Sequence, residues 1–232
     1  MQFSASLLES SLPESVIYDI SYVGDELPFT DTAVQKARCD FEDGGEWTVI
    51  LRRKADVSQQ VNFTRLWKSY EYGFGDLNTE FWYGLHNVHY LTTKEEVELQ
   101  IKVKQDDGTG QVWTYGTFRV DGPENDYTLH IGQAEGPSNG YDSMTAYNGA
   151  KFGTYEVDND HWSGGICGAY YKAGWWFKGC VDNGCVLTGP HDNNRLFWLN
   201  SQGTQTYFPY AEMKIRPKRC KPISDPESSC NN

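Results

Sequence analysis

Across residues 132–194 the chain loses every regular hydrophobic period. Glycine, asparagine and aspartate are dense there and aromatics are scattered among them. An irregular stretch of this length is uncommon inside a compact domain, and when ordered it usually carries function. Without a continuous apolar face it needs staples, such as a disulfide or a bound ion, to stay folded. The regular structure must therefore come from its flanks.

Those flanks read mainly as strands. Val97-Glu98-Leu99-Gln100-Ile101-Lys102-Val103-Lys104 alternates strictly, which buries one face and wets the other. Residues 111–120 and 127–131 repeat the strand signal. With turns at Asp107-Gly108 and Asp121-Gly122-Pro123, these three runs predict an antiparallel meander. Upstream, residues 15–23 form one extended run, and Trp47-Thr48-Val49-Ile50-Leu51 follows the turn Asp43-Gly44-Gly45. Downstream, Tyr210-Ala211-Glu212-Met213-Lys214-Ile215-Arg216 alternates into a last strand that Pro217 ends. Apolar residues at 63, 66, 67 and 70 predict a short amphipathic helix over 63–70, capped by Asn62 and ended by Gly73. A second short helix is expected around Asn87-Val88-His89-Tyr90-Leu91.

Composition narrows the function classes. The net charge is −12, which disfavours nucleic acid, whose phosphates need a basic face, and also an anionic membrane surface. Aromatic content of 15% excludes a disordered chain. No apolar run reaches the roughly 18 residues of a membrane helix. The six cysteines, at 39, 167, 180, 185, 220 and 230, show no zinc spacing. Cys220 and Cys230 flank a Pro/Ser/Lys tail where thiols would be oxidisable, so an oxidising, extracellular compartment is expected over six buried cytosolic thiols. The triplet Asn62-Phe63-Thr64 is a glycosylation sequon and agrees with secretion. Met1-Gln2-Phe3-Ser4-Ala5-Ser6-Leu7-Leu8 lacks the basic start and apolar core of a signal peptide, so a leader is expected to have been removed or to lie outside these residues.

Within the irregular stretch, Asp158-Asn159-Asp160-His161-Trp162-Ser163-Gly164-Gly165 places two aspartates one residue apart on a glycine-rich loop. Their carboxylates, with backbone carbonyls a few residues on, suit Ca²⁺, a hard cation that takes six to eight oxygens in loose geometry. The competing reading is a polar turn in which Asp and Asn cap their own backbone. His161 is a poor Ca²⁺ ligand and is expected exposed or hydrogen-bonded. Cys167 is followed thirteen residues later by Cys180, across Gly174-Trp175-Trp176-Phe177. A bridge there would close a loop of about fourteen residues and contribute ~3 kcal/mol. Rings beside a rigid loop suit a sugar or an acetyl group, but Trp175 and Trp176 read more readily as core.

Several motifs together resemble the fibrinogen C-terminal domain. They are Cys39-Asp40-Phe41 with Gly44-Gly45-Glu46-Trp47-Thr48-Val49-Ile50, then Phe63-Thr64-Arg65-Leu66-Trp67-Lys68-Ser69-Tyr70, Gly73-Phe74-Gly75 and Glu80-Phe81-Trp82-Tyr83-Gly84. The match continues through Asp158-Asn159-Asp160, Cys167, Gly174-Trp175-Trp176-Phe177, Cys180 and Glu212-Met213-Lys214-Ile215-Arg216-Pro217. The resemblance covers residues 36–218, in order and with family-like spacing. It implies an α+β domain: a mixed, mainly antiparallel sheet, short helices and an irregular calcium-binding C-terminal subdomain. Residues 1–35 are then an N-terminal segment of uncertain packing, and 219–232 a C-terminal tail.

The resemblance further implies a structural Ca²⁺ held by Asp158 and Asp160 with carbonyls of Trp162 and Gly164, and a Cys167–Cys180 disulfide. Beside them lies a ligand pocket at Tyr171, Gly179, Cys180 and Asp192. The bond before the second cysteine, here Gly179-Cys180, is often cis in the family. Departures from the family pattern accompany these matches. No cysteine precedes Cys39, so Cys39, Cys185, Cys220 and Cys230 pair differently or stay free, with Cys39 expected to join Cys220 or Cys230. One residue is inserted between Asp160 and Cys167, which leaves Ser163 or Gly164 as the second carbonyl ligand; Val181 stands where the lectins carry His, and Asp192 aligns with a pocket tyrosine.

The expected function is that of a secreted recognition domain in innate immunity, binding glycans or acetylated groups on microbial or parasite surfaces. The alternative is a protein-interaction module of the extracellular matrix or of a receptor ligand. Weak single-site affinity implies a homo-oligomer in the full-length protein. No Ser/His/Asp arrangement, metalloprotease motif or phosphate loop is present in the sequence, so no enzyme activity is expected.

Overall fold

In the computed structural model the described residues are 15–21, 34–42, 45–138, 140–180, 184–191, 196–200 and 202–218. Their frame is a ten-stranded sheet. Its main path runs β1 (Ser15–Ser21), β2 (Val34–Asp40), β3 (Trp47–Lys54), β12 (Tyr210–Pro217), β6 (Val97–Lys104), β7 (Gly110–Val120), β8 (Leu129–Ile131). The short strands β4 (Phe74–Gly75) and β5 (Phe81–Trp82) attach at β3, and β9 (Ala134–Glu135) at β7. A separate hairpin joins β10 (Phe197–Leu199) to β11 (Gln205–Tyr207). All described pairings are antiparallel.

The strand expected at Val97–Lys104 forms with those bounds, and its alternation does what the pattern requires. Val97, Leu99, Ile101 and Val103 are buried, and β6, β7 and β8 make the meander. The last strand enters the middle of the sheet, with Met213 opposite Leu51 on one side and Ile101 on the other. Helix α2 (Leu85–Lys94) lays Leu85, Val88 and Leu91 on the apolar side of this sheet.

Helix α1 (Trp67–Tyr72) begins later than the spacing predicts. Asn62 does not cap it. The Asn62 carboxamide oxygen instead accepts the Thr64 N–H at 2.8 Å, making a local turn that keeps 62–66 out of the helix. Phe63 is thereby drawn into the core, with the Arg53 guanidinium 3.8 Å over its ring and Phe74 edge-on at 4.9 Å. The Tyr70 hydroxyl donates to the Phe63 carbonyl at 2.7 Å and locks this segment to α1. Gly73 ends the helix with φ +92°. A Cβ there would lie 2.8 Å from the Tyr83 carbonyl oxygen, so conformation and space both demand glycine.

The irregular stretch shares one core with the sheet. Trp82 stacks on Phe152 at 6.1 Å, Phe152 meets Trp176 edge-on at 5.2 Å, and the Trp176 indole donates to the Tyr127 carbonyl at 2.9 Å. Trp175 and Trp176 are fully buried, so both are core residues.

Candidate functional site

The loop that begins at Asp158 is built on backbone pairing. Gly153 and Trp175 exchange two hydrogen bonds, of 2.9 and 3.0 Å, and the Asn159 carboxamide donates to the Phe152 carbonyl at 2.8 Å. The backbone N–H of His161 donates to the Lys178 carbonyl at 2.8 Å, and the His161 side chain is exposed. These bonds hold 158–161 between the core segment at 152–153 and the strand-like run at 175–178.

Asp160 organises the next turn. One carboxylate oxygen accepts the Trp162 N–H and the other the Cys167 N–H, each at 2.8 Å. Cys167 is the first residue of α3 (Cys167–Tyr171), whose N-cap residue, Ile166, offers no side-chain acceptor. Asp160 supplies the missing cap from seven residues away. Asp158 is exposed, and one of its oxygens accepts the Asp160 N–H at 3.4 Å. A Cβ at Gly164 would lie 2.7 Å from the Trp162 ring folded over it, so a larger residue there would displace that ring.

Cys167 and Cys180 form a disulfide with Cα atoms 5.0 Å apart. Their sulfurs and the Asp160 carboxylate cluster tightly. Because the sulfurs are bonded to each other, that cluster has no thiolate to offer a metal. The oxygen donors are different. Each Asp160 oxygen spends one lone pair on an N–H and keeps another, and Asp158 has an oxygen with no N–H upon it. Joined by the carbonyls of Trp162 and Gly164, as the resemblance implies, they would make an all-oxygen set, whose chemistry fits a hard cation such as Ca²⁺ and not a thiophilic metal.

Of the ligand-pocket residues implied by the resemblance, Tyr171, Gly179 and Cys180 lie at the disulfide. Tyr171 is half-buried, its ring stacked on Phe177 at 5.7 Å and 8° and tilted against Phe197 at 5.7 Å, and its hydroxyl donates to the Cys180 carbonyl. Gly179 is half-buried and Cys180 buried. Asp192 and Val181 lie outside the described residues. The Gly179–Cys180 bond is trans, contrary to the expectation of a cis bond. A non-proline cis bond costs about 3–4 kcal/mol, and the hydrogen bonds at Tyr171 and Lys178 are made without it. Among the described residues Cys39 is a buried free thiol; Cys220 and Cys230, the partners expected for it, lie outside the described residues. Burial, with the charges of Glu46 and Asp40, pushes the Cys39 thiol up to about 12. Cys185 is likewise free and buried. The sequon residue Asn62 is exposed.

One anchor of this site is invisible in the sequence. Glu80 is fully buried and accepts from Arg53 Nε at 3.0 Å, Lys54 N at 3.1 Å and Val61 N at 2.8 Å, and pairs with His191 Nε2 at 2.7 Å. Arg53 in turn donates to the carbonyls of Leu187 and Gly189. Burial pushes the Glu80 carboxyl up, but the His191 hydrogen bond, the Arg53 charge and the two backbone N–H groups outweigh it and hold it at about 2. The triad fastens 187–191 onto β3 and onto the residue that precedes β5. The partners are 27 and 111 residues apart, so no local spacing could have announced it.

The family model of the C-terminal globular domain of the fibrinogen beta and gamma chains matches residues 15–218. The chain belongs to the fibrinogen C-terminal domain family. Among relatives of this fibrinogen domain, Fibrinogen-like protein A of Apostichopus parvimensis is 35% identical over 188 residues, which cover 78% of this chain and 64% of that protein. Fibrinogen C domain-containing protein 1 of Mus musculus is 37% identical over 192 residues, 78% of this chain and 40% of its own. The chain thus spans less than two thirds of these relatives. Among solved structures, the fibrinogen-like globe domain of human ANGPTL2 superposes with a TM-score of 0.67 at 29% identity, covering 86% of this chain and 94% of that one. A lamprey fibrin D-dimer in complex with the peptide Gly-His-Arg-Pro-amide gives 0.69 at 25% identity, covering 95% and 75%. The fibrinogen fold is a non-enzymatic recognition fold whose homologues are typically extracellular. No described helix of this fibrinogen domain is long and apolar enough to cross a membrane.

Proposed function

We propose that this domain is a secreted recognition module of innate immunity that binds glycans or acetylated groups on microbial or parasite surfaces. Ca²⁺ acts structurally: Asp158, Asp160 and the carbonyls of Trp162 and Gly164 hold it, and it stiffens the loop without touching ligand. The observation that carries the reading is the clamped Tyr171. Phe177 and Phe197 fix its ring and the Cys180 carbonyl fixes its hydroxyl, so an aromatic wall stands preformed beside Gly179 and Cys180. A preformed apolar wall suits an acetyl methyl, because little ordering entropy is spent on binding. Single-site affinity for such a small group is weak, so homo-oligomeric display raises it by avidity.

The test is retention on N-acetylglucosamine-agarose in Ca²⁺ and elution by free N-acetylglucosamine. Retention that free sugar does not reverse, or no retention, refutes the acetyl reading. A second reading, a protein-interaction module, is favoured by the peptide seated on the lamprey relative. It predicts that free acetylated sugars leave partner binding unchanged.

A further inference from the structure

The β10–β11 hairpin has two working faces. In its register Phe197 opposes Tyr207 and Trp198 opposes Thr206, and successive side chains point to opposite sides. Phe197 and Tyr207, 6.5 Å apart, lie on the face that meets Tyr171. Trp198 lies on the other, stacked on Trp113 of β7 at 4.3 Å and 28°, with its indole N–H donating to the Tyr141 carbonyl at 2.7 Å.

On that second face the hairpin meets the turn between β6 and β7 and leaves a cavity of about 190 Å³. Gln105 and Gln111 stand on one wall and Asn200 and Thr206 on the other, with Trp198 and Phe208 closing the apolar floor. None of the nine residues that line it is charged. Two other cavities of the domain differ: Glu95, Glu96, Arg119 and Lys218 border one, Lys36 and Asp76 the other. An uncharged cleft stands out on a surface whose net charge is −12.

Its chemistry selects a ligand class. Amide and hydroxyl side chains both donate and accept, which matches a hydroxyl, itself both donor and acceptor. Among the described residues the Gln105 and Gln111 carboxamides meet no hydrogen-bond partner. The Asn200 oxygen already accepts from Gln202 N and Thr204 N, which leaves its NH₂ to donate. A charged group would be desolvated here without a counter-charge. An extended peptide needs an open strand edge, but both turns spend their backbone on themselves: Gln105 N on Thr109 O, Gly108 N on Gln105 O, Asn200 N on Thr204 O and Gly203 N on Asn200 O. The volume is below that of drug-sized sites and admits about one ring.

We propose that this cavity is a second binding site, which takes one ring of a neutral, hydroxyl-rich sugar chain by its side chains. It stands independently of whether the Tyr171 face takes an acetylated ligand.

The experiment is a titration of ¹⁵N-labelled protein with cellohexaose, which carries no acetyl group, and in parallel with hexagalacturonic acid, its charged counterpart. Cellohexaose shifts the side-chain amide signals of Gln105 and Gln111 and the indole signal of Trp198 in a saturable, millimolar-range titration, while Tyr171 and Phe177 stay still. Gln111→Leu and Thr206→Val, each at a surface position, weaken that titration about five-fold apiece, the effect of one neutral hydrogen bond. Unmoved Gln105 and Gln111 amides at millimolar cellohexaose overturn the proposal. So does an equal response to hexagalacturonic acid, or movement confined to Tyr171 and Phe177. The acetyl reading is judged separately by the agarose experiment, so the two can fail independently.

Discussion

The carboxylate of Asp160 accepts the backbone N–H of Cys167 at 2.8 Å, and so the acidic loop and the disulfide form one mechanical unit. Asp158 has no such duty, because its single internal bond, to the Asp160 N–H, is long at 3.4 Å. The two aspartates therefore separate by experiment. Asp160→Ala costs about 1 kcal/mol of stability even in EDTA, from the lost cap. Asp158→Ala should be nearly silent in EDTA but should remove the rise in melting temperature that the proposed binding of Ca²⁺ to the native state predicts. Thermal scans with and without Ca²⁺ check both; equal behaviour of the two variants contradicts the division of labour.

Removing the Cys167–Cys180 bridge by a double Cys→Ala change should cost about 3 kcal/mol, from the fourteen-residue loop it closes. Urea unfolding measures this. Because Cys39 and Cys185 are buried, the native protein should show almost no thiol reactivity at neutral pH from these two, and both should react once it unfolds.

Glu80 sets an acid limit. Its carboxyl is held at about 2 in the folded protein against an ordinary 4.5, so the unfolded chain binds the extra proton between these values. The stabilisation is whole above pH 4.5 and is lost as pH falls toward 2. Glu80→Gln leaves Arg53 buried without its counter-charge and should destabilise by about 3–5 kcal/mol. Urea midpoints across this pH range should fall for the native chain and change less for the variant.

Tyr171→Phe keeps the ring between Phe177 and Phe197 but removes the hydroxyl that donates to the Cys180 carbonyl. A stability loss of about 1 kcal/mol is expected, with weaker retention on N-acetylglucosamine-agarose. Wild-type retention in a folded Tyr171→Phe protein removes this hydroxyl from the site.

What the sequence disclosed follows from periodicity and local motif. Val97–Lys104 alternates without exception, and its strand forms with the same bounds. The Cys167–Cys180 bridge and the core positions of Trp175 and Trp176 were legible from family-like spacing and aromatic size. The start of α1 was misread because Phe63 satisfies a helical period that tertiary packing overrides: Arg53 and Phe74 capture the ring while Asn62 makes a turn. Arg53, Glu80 and His191 were hidden for another reason. A buried charge network is a property of three distant segments, and no window of sequence contains it.

The position of β12 carries a temporal consequence. Residues 210–217 fill the slot between β3 and β6, which do not pair with each other. A growing chain released from the ribosome before that point has two half-sheets with raw inner edges, open to any passing strand. For this domain, synthesis nearly to the end is a condition of safe folding, and nascent chains stalled upstream of Tyr210 are the species that chaperones must guard.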